Sequence, residues 1–157
     1  MPPLIGQRTS INLETRRGTP IQNSFDETPP TPGNIFQCTA LKRQYIAALH
    51  RPTNASNIYN CHGLTFACRR TGITDYRELR RIIADDTYQK IDHPKDLFPG
   101  DIVLYIQQGD LTHSGVITEV SPILRVLSKW GWCHEVVHAI SDCPYIPATY
   151  EFWRIVS

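Results

Sequence analysis

Apolar residues along this chain follow two different periods, and the change between them falls near residue 99. In the first stretch the spacing is helical. Leu41, Tyr45, Ile46 and Leu49 fall on one stripe of a helix. The run 51–57 breaks that pattern as a loop, by its Pro and Asn content. A second helix is predicted from near Asn60 to just before Gly72, a natural C-terminal cap, with Cys61, Leu64 and Cys68 on its stripe. A third runs from about Asp75 to Asp85, capped by Asp75 or Thr74, with Tyr76, Leu79, Ile82 and Ile83 inward.

Beyond the turn Pro99-Gly100-Asp101 the pattern becomes that of strands. Ile102 to Ile106 reads as a buried strand, and Gln107-Gln108-Gly109-Asp110 turns the chain. His113 to Val120 and Leu124 to Trp130 form a predicted hairpin around Ser121-Pro122. Glu135 to Ile140 and Tyr150 to Val156 add two more strands. Helices first and an antiparallel sheet after them predict an α+β fold.

The first 35 residues belong to neither pattern. They hold six of the chain's twelve prolines, so they offer little apolar surface to bury. Residues 1–35 are expected to be disordered or loosely draped, and 36–157 to form the domain. Deleting the segment is expected to leave the melting temperature nearly unchanged. A length of 157 residues with 41% apolar content suffices for one core. A formal net charge of +1 points to neither nucleic acid nor an anionic membrane as partner. No apolar run approaches the roughly 18 residues of a membrane span. No secretory signal is visible at the N-terminus.

The five cysteines, Cys38, Cys61, Cys68, Cys133 and Cys143, are an odd set without a disulfide-framework spacing. Most are expected to be reduced and buried. Cys133, His134, His138 and Cys143 have a spacing that suits metal ligands, but zinc sites usually set a tight cysteine pair against a distant second pair. No metal or cofactor is therefore expected. Outside the cytosol a Cys133–Cys143 disulfide is favoured over zinc. Asn54-Ala55-Ser56 is a glycosylation acceptor only in a secreted eukaryotic protein.

Cys61 carries the candidate chemistry. It stands at the first turn of a predicted helix, where free amide donors favour a thiolate and so a nucleophile. Gly63 next to it lets a backbone come close. A structural cysteine at a helix start explains the same residues equally well. His113 tips the balance. It opens a strand and is followed by the small residues Ser114 and Gly115, so its ring can face a helix start and take the thiol proton. His50, His62, His93 and His134 are read as ordinary surface or capping histidines.

Asn60-Cys61-His62-Gly63-Leu64 resembles the Asp-Cys-Ser-Gly-Leu signature of NlpC-like cell-wall cysteine peptidases. Pro99 to Tyr105 resembles their Pro-Gly-Asp-Leu-Val-Phe-Phe strand, and Thr112 to Ile117 their His-Val-Gly-Ile-Tyr strand. CHAP-type amidases share this order. The resemblance spans Ile58 to Trp130. It implies a papain-like α+β fold and hydrolysis of an amide bond, usually in peptidoglycan, by attack of Cys61 with His113 as base. The Cys-then-His order disfavours the permuted acyltransferase relatives. His62 departs from the usual Ser and makes the rim of the site bulkier.

In those relatives a third residue orients the imidazole from the next strand. Lys129 only donates, and Ser128 accepts weakly, so His138 is favoured. The Cys61 amide, with Tyr59, is expected to hold the oxyanion, and the Ser128 to Trp132 run, Trp130 included, to offer a substrate platform. The expected partners are peptidoglycan or a peptide, with a cognate inhibitor or immunity protein if the chain is an antibacterial effector or phage-type enzyme. Non-classical export to the periplasm or extracellular space fits that role. The rivals are a toxin that deamidates or cleaves a protein, and an inactive binding module.

Overall fold

The computed structural model describes residues 9–52 and 55–156. Residues 1–8, and Asn54 of the glycosylation triplet, lie outside the described residues. Three helices and seven strands follow one another: α1 (Pro32–Gln44), β1 (Leu49–Arg51), α2 (Cys61–Phe66), α3 (Tyr76–Asp85), β2 (Tyr88–Ile91), β3 (Ile102–Gln107), β4 (Asp110–Glu119), β5 (Arg125–Lys129), β6 (Glu135–Ala139) and β7 (Thr149–Ile155). The strands form one antiparallel sheet in the order β1-β6-β5-β4-β3-β7-β2. The fold is α+β, as the two periods require. Gln108 and Gly109 both take positive φ, which a tight β3–β4 hairpin turn demands.

Alternate residues of each strand build two cores. Val103, Tyr105, Ile117, Val126, Val136 and Phe152 face one side, with Leu41 and Tyr45 at the end of α1 packed against them. Ile102 and Leu104 face the other, against Leu79, Ile82 and Ile83 of α3.

Several expectations need correction. The N-terminal segment is neither disordered nor loose in its described part. Ile21 is buried with the α3 core, Thr15 and Thr19 both donate to Asp85, and the amide of Gln22 donates to Glu78 at 2.6 Å. Ser24 and Gly72 exchange backbone hydrogen bonds. A proline-rich chain can still bury one large side chain, and composition averages that away. The first helix starts at Pro32, with Thr31 and Asn34 forming a capping box, so the boundary at residue 35 cuts through it. Ile46 and Leu49 lie beyond its end and are exposed, and Tyr76 is exposed as well. The second helix has six residues rather than about twelve. Strands β1 and β2 lie in stretches too short and polar to show a period.

Cys133 pairs with Cys38, not with Cys143. The bridge joins residues 95 apart and fastens α1 to the segment after β5. By loop-closure entropy such a bridge contributes on the order of 4 kcal/mol. Cys143 is a free, buried thiol. Among the described residues no group of three or more His, Cys, Asp or Glu side chains is arranged to hold a metal, and no helix is long and apolar enough to cross a membrane.

Candidate active site

Asn60 fixes the start of α2. Its side-chain oxygen caps the amide of Gly63 at 2.9 Å and accepts from Ile73, while its amide group donates back to the Ile73 carbonyl at 2.8 Å. Gly63 is required there, because a Cβ would collide with the Thr71 carbonyl. The close approach expected at Gly63 thus belongs to the protein's own backbone.

Cys61 is buried at this helix start. The backbone amides of Ser114, His62 and Cys61 itself favour its thiolate. The Ser114 amide locates the sulfur. On β4 the amide of Ile117 points toward β3, donating to the Asp101 carbonyl, so by alternation that of Ser114 points toward β5. The β4–β5 ladder ends at Val116 and Leu127, leaving the Ser114 amide without a strand partner. The Cys61 sulfur lies near that amide, where α2 packs on β4 and β5. Burial nevertheless pushes its pKa up to about 11, against the three amides. The lowered pKa expected from the helix start is not found. Six residues make a small dipole, and desolvation outweighs it.

His113 lies on β4 beside Tyr105. It therefore faces the α1 side of the sheet, whereas its neighbour Ser114 faces α2. The ring is completely buried, stacked on Tyr145 at 3.7 Å and 6° and edge-on to Tyr105 at 5.0 Å. Neither ring nitrogen has a hydrogen-bond partner among the described residues, the Cys61 thiol included. Desolvation first, then His138 and His62, hold its pKa well below 6.5. At neutral pH the pair is a thiol and a neutral imidazole, not a thiolate and an imidazolium.

His138 is not brought to His113 as an orienting partner. Its Nδ1 bonds the Ala139 carbonyl at 2.8 Å and its Nε2 meets Ser128 Oγ at 2.7 Å. Both nitrogens are committed, and its pKa falls to about 4 through burial. Ser128 also accepts from the Trp130 indole at 3.1 Å, so it links core residues rather than facing substrate. Trp130 is buried in that core, and Trp132 is the exposed tryptophan. The Tyr59 hydroxyl donates to Glu135 and is not free for an oxyanion. His62 is not at a rim. It is buried, bonded to Ser114 Oγ at 2.8 Å, with a pKa near 4 for the same reason.

Three residues here escaped the sequence reading. The Ser114 amide gave no signal, because its role depends on where a ladder stops. Tyr145 sits in Cys143-Pro144-Tyr145, an aromatic after a turn signal. Lys129 reads from the sequence as a mere donor, although a lysine inside an apolar strand is itself a signal. Two clefts flank the site and share Gly131 and Trp132. One of about 320 Å³ is lined by Tyr59, Asn60 and Asn57, beside Cys61. The other, about 460 Å³, is lined by Leu41, Trp130, Pro144 and Tyr145, beside the ring that stacks on His113. No protein-family model, curated protein or solved structure matches this chain.

Proposed function

We propose that this chain is a papain-like, NlpC-type cysteine hydrolase that cleaves an amide bond of peptidoglycan through Cys61 and His113. The observation that carries the reading is the Cys61 thiol. It lies near the amide of Ser114, the residue after His113, whose buried imidazole has both nitrogens uncommitted among the described residues. A buried histidine without partners costs about 1–3 kcal/mol. A proton-accepting role in the reacting complex gives a reason to keep it. Hydrogen bonds of this kind often tighten only when substrate is bound.

In the reaction the Cys61 proton passes to His113 and the sulfur attacks the carbonyl carbon. The amides of Ser114, His62 and Cys61 favour the thiolate that attacks, and the Cys61 amide is the proposed donor to the oxygen on which negative charge then develops. His113 then returns the proton to the leaving amine, and water releases the acyl group. The clefts on either side of Trp132 give the substrate two directions of approach.

The deciding measurement is release of new amines from purified peptidoglycan, with Cys61→Ala as control. Release by the wild type alone supports the reading. No release, combined with covalent labelling of Cys61 by iodoacetamide, moves the substrate to a protein. No release and no labelling leaves a binding module.

A further inference from the structure

Lys129 ends β5 and is fully buried, an expensive place for an ammonium. Its Nζ donates to the carbonyls of Ser56 at 2.7 Å and Gly131 at 2.6 Å, and lies 4.9 Å over the Tyr59 ring. An ammonium has three protons, so one is uncommitted among the described residues. Continuing the β4–β5 register past Val116 and Leu127 sets Lys129 opposite Ser114, whose amide is near the Cys61 sulfur.

The groups around it define the local charge. Glu135 pairs with it across β6 and is met by Arg69 at 2.6 Å, by Arg51 at 3.6 Å and by the Tyr59 hydroxyl. His62 on α2 and His134 before β6 have pKa values near 4 and are neutral at pH 7. Three cations therefore surround one carboxylate. Burial lowers the Lys129 pKa to about 8, with Cys61 and Glu135 opposing the shift, so the charge persists at neutral pH.

We propose that the Lys129 ammonium stabilises the Cys61 thiolate, so that proton transfer to His113 proceeds without an acceptor behind the imidazole. The proposal rests on the reading of Cys61 as nucleophile. In the step concerned the S–H bond breaks, an N–H bond forms on His113, and the electron pair stays on sulfur beside Lys129. Lys129 acts through Cys61 and is a positioning residue.

The test is the pH profile of Cys61 alkylation by iodoacetamide, read by mass spectrometry on the Cys61 peptide so that exposed Cys68 does not interfere. Lys129→Met should move the profile up by about one pH unit and slow labelling about tenfold at fixed pH. Lys129→Arg should restore most of the rate. Glu135→Gln, which removes the opposing charge, should move the profile down. A Lys129→Met profile that overlays the wild type overturns the proposal. If that variant does not fold, Lys129→Gln and Glu135→Gln decide, and profiles unmoved in both overturn it equally. The nucleophile reading fails separately, through full activity of Cys61→Ala, while the labelling profiles are read on chains that keep Cys61.

Discussion

On the sheet face covered by α2 and α3, Lys129, Glu135 and Ser114 are buried as deeply as core residues and have partners for their polar atoms. On the face covered by α1, His113 is equally buried and both its nitrogens are unpaired. The first face holds charge by matching it, with carbonyls around the ammonium and arginines around the carboxylate. The second holds rings against one another, His113 stacked on Tyr145 and His50 hydrogen-bonded to His134 at 2.7 Å.

The largest effect that would break this comparison is on turnover. Cys61→Ala should reduce hydrolysis by at least about a thousandfold while the melting curve stays close to wild type. Full activity in that variant would remove the sulfur from the chemistry. His113→Phe should be comparably inactive, yet it keeps the stack on Tyr145 and discards two unmet nitrogens. Its stability should rise by about 1–3 kcal/mol, measured by chemical denaturation. A loss of stability would show that the imidazole is structurally satisfied.

Acid should act on the buried histidines of both faces. His62, His113, His134 and His138 all have folded pKa values held below 6.5, three of them near 4. Between pH about 6.5 and 4 the unfolded chain binds more protons than the folded one, so stability is complete above that window and lost as pH falls through it. A thermal melt at pH about 5 should lie roughly ten degrees below one at pH about 7.5. An unchanged melt would mean that these rings are protonated in the fold.

A smaller loss should follow at the first face when Ile21 is truncated. Ile21→Ala should cost about 2–4 kcal/mol, against the near-zero effect that composition implies for the segment. A melt within a degree of wild type would return residues 9–26 to a loose tail. The smallest effect on the reaction should come from His138→Ala. Its nitrogens are spent on Ser128 and Ala139, so the rate should stay within about threefold of wild type. A loss of a hundredfold or more would restore His138 as the residue that orients His113.

The sequence by itself determined the α+β order, the third helix from Tyr76 to Asp85 and five of the seven strands. Local period encodes such elements, and each run is long enough to show it. It also marked the Cys61 and His113 segments, whose residue types are visible in isolation. It could not determine that Ile21 reaches the α3 core, that Cys38 meets Cys133, or that His138 spends both nitrogens on its own strand and its neighbour. Each of these depends on a partner tens of residues away or on which face a strand presents. Whether Cys61 starts life as thiolate or thiol was likewise settled by packing. The helix start argues for the charged form, but six residues of helix cannot outweigh the water lost when the sulfur is buried.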